Sequence, residues 1–307
     1  MAESVITPAL LEGSSESTVA ATSTRERTRT GRERARDAAL EVLRRPGLVL
    51  ALLVLALALV AAVAPSLLAP GDPYAANPVD RLQSPGAAHL FGTDQLGRDL
   101  YTRVVHGSAL SLSAAGLAVV FGLTAGSLVG LLAGFVGGIV DSALMRVVDV
   151  LLSIPGILLS LAMITALGFG TLNVAIAVGA GSIASCARIM RSQVLSVRTS
   201  DFVEAAIAGG ATRLRVLLRH VLPNSAAPVL VLAALDLGGA ILAVSSLSFL
   251  GFGVQPPTPE WGALVAQGRD YLASAWWLTA MPGFVVVATV LAANHVARSL
   301  DAEGKRS

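Results

Sequence analysis

The chain has 307 residues, of which 54% are hydrophobic and 14% are charged, and its mean hydropathy is +0.72. This composition excludes an ordinary soluble domain and predicts an integral membrane protein. The formal net charge of +2 reflects where the basic residues stand relative to the membrane, and it does not indicate nucleic-acid binding.

Residues 1–45 open the chain with a polar stretch that is rich in Ser, Thr, Glu and Arg. Such a stretch cannot bury enough apolar surface to fold alone, so we expect a mostly disordered, arginine-rich cytoplasmic tail. A first transmembrane helix follows within residues 46–70. The Ala-Val-Ala of residues 62–64 resembles a signal cleavage site, but the apolar run is longer than a signal core and Pro65 follows directly. We therefore favour an uncleaved anchor.

The apolar runs predict an all-α integral membrane fold with six transmembrane helices, because one crossing needs roughly 20 apolar residues. The run from 150 to 187 is too long for one crossing. It breaks at the turn-rich residues 168–173, which gives two helices. The predicted spans are 47–69, 110–134, 145–167, 172–190, 226–250 and 278–298.

The basic residues predict the orientation of these spans. With the N-terminus in the cytoplasm, 18 of the 22 basic residues fall in inner segments, as the positive-inside rule requires. Both termini are then cytoplasmic, the second as a short tail, 299–307. Residues 71–107 and 251–277 lie outside, and 191–224 form a polar insert on the inner face. Five helices make a core of residues 108–298.

Glycines recur every four residues in the second span and beyond it, which places them near one face of a helix. In lipid, small residues on one face allow helix backbones to approach closely. Packing within this chain is favoured, and contact with a second membrane subunit is the alternative. The glycines concerned are Gly122, Gly126, Gly130, Gly134 and Gly138.

Two acidic side chains lie in or near the predicted spans. Asp149 stands three residues after Arg146, and an ion pair between them is favoured over a role in cargo binding. Asp236 lies inside the fifth span, where an acid is costly and usually faces a cavity or a partner, so it is the candidate pore residue. Contact with another helix is an equal alternative for Asp236. The only cysteine, Cys186, can form no intrachain disulfide and is assigned to packing.

The polar insert carries the most informative motif of the chain. The Glu-Ala-Ala of residues 204–206 is followed by Gly210, six positions after the glutamate, and then by the HVLPN of residues 220–224. Small side chains allow a narrow helix to enter a groove on another protein, so we expect docking to a separate motor subunit. An amphipathic helix on the membrane surface is the alternative. The candidate coupling residues are Asp201, Phe202, Glu204, Ala205, Ala206, Gly210, His220, Leu222, Pro223 and Asn224.

The local chemistry of the insert predicts two short helices. Asp201 is expected to cap the first helix, which ends at Ala208 before the turn of residues 209–210. Thr212 is expected to cap the second helix, which should end at Pro223 because a proline ring disrupts a helix interior. In this second helix Leu214, Leu217, Leu218 and Val221 should lie largely on one side and the arginines elsewhere.

These motifs together resemble the inner-membrane permease subunits of bacterial ABC importers, and more closely the dipeptide/oligopeptide/nickel branch. The resemblance spans most of residues 85–285. The matching blocks are GTDQLGRD at 92–99, MRVVDV at 145–150, DFVEAA at 201–206 with Gly210, RHVLPN at 219–224, LSFLGFGVQPPTPEWG at 247–262 and GRDY at 268–271. Ile207 and Gly209 depart from the family, which often has Arg and Leu there, and Val244 replaces an acid that many relatives carry.

The resemblance implies a type I importer permease in the bacterial cytoplasmic (inner) membrane. Its partners would be a second homologous permease that completes the pore, two ATPase subunits (or one dual ATPase pair), an extracytoplasmic substrate-binding protein and the lipid bilayer. ATP and magnesium would be bound by the ATPases, and this chain would hold no cofactor. The cargo would be di- or oligopeptides, or alternatively nickel or another small solute. The candidate receptor-facing residues are Asp94, Gly97, Arg98, Asp99, Gln255 and Trp261.

Two other classes of protein fit the sequence less well. The chain has no phosphate-binding loop of the GxxxxGK[ST] type, and its only lysine, Lys305, stands in the C-terminal tail, so ATP hydrolysis is expected elsewhere. An ion-driven secondary transporter would carry paired ionisable groups or broken helices near the middle of the membrane. An intramembrane enzyme would need a nucleophile with a base, or metal ligands, and the four histidines are scattered.

Overall fold

The computed structural model describes residues 45–304, so the predicted N-terminal tail up to residue 44 and the last residues, 305–307, lie outside the described part. The chain divides after Val49 into two units, and the architecture below is that of the second, which begins at Leu50. Between residues 45 and 304 all regular structure is helical. The helices are α1 Pro46–Val63, α2 Pro65–Leu68, α3 Leu100–Val136, α4 Gly138–Ser153, α5 Gly156–Leu167, α6 Thr171–Arg198, α7 Asp201–Ala208, α8 Arg213–Val216, α9 Leu222–Phe249, α10 Trp261–Gly268 and α11 Trp277–Gly304.

Five of these helices are long and apolar enough to cross a membrane, namely α1, α3, α6, the part of α9 from Pro228 and α11 up to Ser299. The prediction of an all-α membrane protein is confirmed. The structure corrects the predicted third span, 145–167, which is not one straight helix. Its place is taken by α4 and α5, which meet at an angle of 97° and give a sixth crossing only if the bent pair counts as one span.

The bend between α4 and α5 follows from Pro155. A proline has no backbone N–H to donate, and it pushes the preceding residue out of the helical region. Ile154 is accordingly extended, with φ −94° and ψ 127°, and α4 ends at Ser153. The chain resumes a helix at Gly156.

The second span begins earlier than its apolar run predicts. α3 starts at Leu100 because the Asp99 side chain accepts a hydrogen bond from the backbone N–H of Thr102 at 2.8 Å, which caps the helix. The last residues of the predicted outer segment 71–107 are therefore helical. Before Asp99 the segment holds one short 3₁₀ turn, Pro78–Asp80, as expected from its prolines.

The centre of the bundle is the contact between α3 and α6, where four glycines of α3 lie against the backbone of α6. A Cβ atom on Gly122 would stand 2.7 Å from the carbonyl oxygen of Gly179. One on Gly126 would stand 2.6 Å from the Cβ of Cys186. Gly130 and Gly134 are crowded in the same way. Gly138 is not part of this face, because α3 ends before Gly137, whose φ is +72°.

This contact predicts that a larger side chain at Gly126 destabilises the bundle. We expect Gly126→Leu to lower the free energy of unfolding by about 1–3 kcal/mol or more, since the helices must separate to admit it. Thermal unfolding of the purified protein in detergent measures the change. Gly116→Leu is the matched control, because a Cβ on Gly116 of the same helix meets nothing within 4 Å. An equal effect of both substitutions would contradict the packing argument.

Candidate functional site

The helix α7 contains the Glu-Ala-Ala motif and ends at Ala208, as the sequence predicts. Its cap is Ser200 rather than the predicted Asp201, which is the first helical residue. The Ser200 side chain donates to the carbonyl of Val197 at 2.6 Å and makes no capping bond to α7. Asp201 and Glu204 both lie in the first turn of α7, where their charges are favourable to the helix dipole.

Gly210 closes α7 through a specific backbone arrangement. The N–H of Gly210 donates to the carbonyl of Ile207 at 3.0 Å, and the N–H of Ala211 donates to that of Ala206 at 3.1 Å. These two bonds form a Schellman motif, which needs a left-handed residue at the position of Gly210. The φ of Gly210 is +81°, and the space around its Cβ position is open. The glycine is therefore required by backbone conformation and not by crowding.

One buried side chain anchors α7 to the membrane helices. Val203 is fully buried and packs in a cluster with Val194 of α6, Val216 of α8 and Val221. The opposite side of α7 is open to solvent, with Phe202, Glu204 and Ala205 exposed. The candidate coupling residues on α7 thus form a surface patch whose position is fixed by the bundle behind it.

The second helix of the insert does not end at Pro223, contrary to the prediction. α8 passes into a π-helical turn, Leu217–Val221, and then directly into the transmembrane helix α9. In this turn the N–H of Leu222 donates to the carbonyl of Leu217, five residues back. The π turn immediately precedes Pro223, which lies in the first turn of the α-helical segment α9.

The predicted apolar face of this second helix is confirmed only in part. Val221 is buried and Leu217 is partly buried against the same cluster, as predicted, whereas Leu214 and Leu218 are exposed and Val216 is buried instead. Thr212 caps α8 as predicted, accepting from the N–H of Arg215. Of the HVLPN residues, His220 and Val221 end the π turn, and residues 222–224 begin α9. The Asn224 side chain donates to the carbonyl of His220 at 2.6 Å, and the His220 ring lies 6.4 Å from that of Phe202.

Three arginines at the end of α6 hold this helix to the neighbouring elements. Arg191 forms a two-pronged ion pair with Asp141 of α4, at 2.5 and 2.6 Å. Arg188 binds Asp149 at 2.6 Å, so the predicted pair of Asp149 with Arg146 is wrong. Arg198 donates to the last carbonyls of α3. Sequence reasoning missed these contacts, because their partners are 39 to 64 residues apart in the chain.

Several candidate receptor-facing residues are interior residues of the predicted outer segments. Asp94 and Arg98 form an ion pair at 2.6 Å with side chains only 5% exposed. Trp261 is fully buried and donates to the carbonyl of Val104 at 3.0 Å. Gly97 is also buried, and a Cβ there would overlap the carbonyl oxygen of Asn77. These side chains stabilise the segments and cannot form a receptor surface in this conformation.

Asp99 and Gln255 are the candidate receptor-facing residues that reach the surface, Asp99 partly and Gln255 fully. The carboxylate of Asp99 lies 2.9 Å from the ring of His89 and also caps α3. Contact of either residue with a receptor stays a prediction.

Glu260 is a fully buried carboxylate that joins the predicted outer segment 251–277 to α3, a role that the sequence did not reveal. It accepts from the hydroxyl of Ser111 in α3 at 2.9 Å and from the N–H groups of Gly262 and Ala263 at 3.2 and 3.0 Å. The N–H of Trp261 donates in turn to the Ser111 oxygen at 3.0 Å. The PEW tripeptide of residues 259–261 is thereby bonded to α3 150 residues away.

Asp236, the candidate pore residue, lines an open cleft of about 400 Å³ beside the bend between α4 and α5. The walls are formed by α5, α6 and α9. The side chain is partly exposed. The cleft therefore contains a carboxylate at a helix break within the predicted membrane region.

Comparison with known proteins identifies this arrangement of helices and insert. Residues 126–303 match the family model described as "Binding-protein-dependent transport system inner membrane component". The match covers more than half of the chain. The chain belongs to this family. It is therefore a multi-pass permease component of the inner membrane. In this family the ATPase is a separate subunit. Members of the family generally work with ATPase subunits and with a substrate-binding protein.

Curated relatives cover most of the chain. It is 42% identical over 224 residues to the dipeptide transport system permease protein of Alkalihalophilus pseudofirmus, which covers 73% of this chain and 74% of that protein. It is 43% identical over 227 residues to the probable D,D-dipeptide transport system permease protein of Escherichia coli, covering 74% and 76%. It is 40% identical to the glutathione transport system permease protein of Pectobacterium atrosepticum, covering 70% and 72%.

A solved structure shares the fold of this permease. An inward-facing form of a methionine ABC transporter superposes with a TM-score of 0.51 at 22% identity, covering 65% of this chain and 97% of that one. The prediction of an ABC importer permease fold is confirmed by this likeness together with the family match.

The Schellman motif predicts a difference between the two adjacent glycines of the insert. Gly210→Ala should cost about 1–2 kcal/mol, because an alanine is strained at positive φ. Gly209→Ala should have little effect, since the φ of Gly209 is −74°. Hydrogen exchange of the amides of residues 201–211 measures the loosening of α7. Faster exchange in both variants, or in neither, would contradict this assignment of the left-handed residue.

The bonds of Glu260 predict a large contribution to stability. Glu260→Ala leaves one hydroxyl and two N–H groups without their acceptor and should lower the free energy of unfolding by about 3 kcal/mol. Asp270→Ala is the control, because Asp270 is exposed and its contact with Arg269 is 3.4 Å long. Thermal unfolding in detergent compares the two. A variant at Glu260 as stable as the control would refute the role of this carboxylate.

Proposed function

We propose that this chain is a permease subunit of an ATP-driven ABC importer for di- and oligopeptides and forms half of the translocation pore. The observation that carries the cargo assignment is the identity of 40–43% to permeases that are named for dipeptide, D,D-dipeptide and glutathione transport. A second homologous permease supplies the other half of the pore. An extracytoplasmic binding protein delivers the cargo, and the predicted outer segments meet it.

Residues 199–224 of the insert form the surface on which an ATPase subunit docks. Support comes from the exposed patch of Phe202, Glu204 and Ala205 on a helix whose other side is fixed to the bundle through Val203. The short side chains of the patch allow close approach, and the carboxylate of Glu204 is free to meet a basic group. The insert then faces the cytoplasm, together with both termini, as the arginine distribution favours.

Coupling converts nucleotide-driven closure of two ATPase subunits into movement of the pore helices. ATP and magnesium are held by those subunits. The insert continues without a break into α9 and is preceded directly by α6, so a push on α7 reaches two pore helices at once. Alternating access follows if the two positions of these helices differ in their affinity for nucleotide-bound ATPase.

The docking role predicts that Gly210→Pro abolishes uptake. A proline cannot adopt the φ of +81° and has no N–H for the bond to Ile207, so the end of α7 must unfold. Arg213→Pro is the matched control, because residue 213 is the first residue of α8, where proline is favoured. Uptake of a labelled dipeptide is measured in cells that produce the complete complex, with the membrane level of each variant determined alongside.

We expect uptake at background level for Gly210→Pro and near the wild-type level for Arg213→Pro, with equal amounts of both in the membrane. Full uptake by Gly210→Pro would refute the coupling role. Uptake of nickel but of no peptide by the wild-type complex would refute the cargo assignment and leave the permease assignment intact.

A further inference from the structure

The cleft beside Asp236 has features of a binding site that a packing defect would not have. It lies where α5 begins after the bend, and two of the three glycines that line it, Gly156 on α5 and Gly239 on α9, stand beside open space. A Cβ atom on either glycine would meet nothing within 4 Å. The absence of side chains at these two positions therefore keeps space open and does not serve close helix contact, in contrast to the glycines of α3.

The charge of Asp236 is left uncompensated, whereas the other acids of the described membrane helices have partners. Asp141 is bound by Arg191 and Asp149 by Arg188. Over residues 45–304, Asp236 makes no hydrogen bond or ion pair. A carboxylate within a membrane span is costly unless it is paired or hydrated, so a cation that binds here gains a favourable interaction that the chain itself does not provide.

The polar side chains that line the cleft with Asp236 are the hydroxyls of Ser160, Ser182 and Ser246. The hydroxyls of Ser160 and Ser246 also line the cleft and donate their hydrogens to backbone carbonyls, at 3.0 Å to Ala177 and at 2.8 Å to Leu242. Each of these two oxygens keeps lone pairs that can accept a hydrogen bond. No arginine, lysine or histidine lines the cleft in the described residues. A carboxylate with hydroxyl oxygens suits a ligand that brings several N–H donors and a positive charge.

The size of the cleft selects between kinds of cation. A bare metal ion requires six or more oxygen ligands at close range, and one carboxylate with dispersed hydroxyls in about 400 Å³ does not supply them. An ammonium group carried on a larger organic body fits both the charge and the space. We propose that Asp236 binds the free amino terminus of a peptide in transit through the permease.

This inference rests on the proposed function, because it takes the peptide cargo as given, and it names the group of that cargo that the permease recognises. The amino-terminal ammonium interacts with Asp236, and the serine oxygens of the cleft accept its remaining hydrogens. Peptides whose amino terminus is acetylated lose the charge and two of the donors. The permease then discriminates against them at this point, in addition to any selection by the binding protein.

A thiol placed beside Asp236 tests the charge of the cleft without the binding protein. Gly239→Cys puts a reactive group into the open space, and the native Cys186 is buried. In the complete membrane complex in nanodiscs, a cationic trimethylammonium thiosulfonate should react with the introduced thiol roughly tenfold faster than an anionic sulfonate thiosulfonate. Adding Asp236→Asn should abolish this preference, and Asp236→Glu should retain it. Equal rates for the two reagents, or no reaction with either, would overturn the proposal.

Protection of the same thiol identifies the ligand. Dialanine should slow the modification, and N-acetyl-dialanine at the same concentration should not. Equal protection by both peptides, protection by neither, or protection by sodium or magnesium as strong as that by dialanine would overturn the ammonium assignment. Dipeptide uptake by the wild-type complex is measured in parallel. Its absence would refute the proposed cargo, whereas normal uptake without protection by dialanine would refute the Asp236 site alone.

Discussion

Direct backbone contact between α3 and α6 is the constraint on which the rest of the molecule depends. In lipid there is little hydrophobic force between apolar helices, so association depends on close packing. The glycines of α3 remove the side chains that would hold the two helices apart, and the carbonyls of α6 occupy the space. Every functional element described above is attached to one of these two helices. Glu260 is bonded to α3, and the cleft and the insert are both built on α6.

The arrangement connects two ends of the bundle through one rigid centre. At one end α3 is bonded to the PEW tripeptide, and at the other Arg198 binds the last carbonyls of α3 while Val203 packs beside Val194. The insert is small, and apolar contacts such as that of Val203 with Val194 hold it against α6. In the proposed coupling, a force applied to its exposed patch would reach these packed helices. The open cleft at Asp236 is lined by both α6 and α9, the two helices that flank the insert.

Local chemistry was predictable from the sequence, and long-range geometry was not. The end of α7 followed from Gly210, and five of the six predicted membrane spans followed from hydropathy, because both signals lie within a few turns of chain. The bend at Pro155 was missed because prolines also occur within transmembrane helices, as Pro282 does in α11. The π turn before Pro223 depends on a five-residue hydrogen bond that no residue type specifies. Asp94 and Trp261 were assigned to a surface because their burial depends on partners far away in the sequence.

A distance measurement within the complete complex tests the rigid transmission of force most directly. Spin labels are placed at Ser113 on α3 and Ala208 on α7, both of which are exposed. If the account is right, these two positions move together as one rigid body. We predict the same mean distance in the nucleotide-free complex and in the complex trapped with ATP and vanadate, in labelled protein that still imports dipeptide. A shift in the mean beyond the width of the nucleotide-free distribution would contradict the account, because α7 would then move independently of the helices it is proposed to drive.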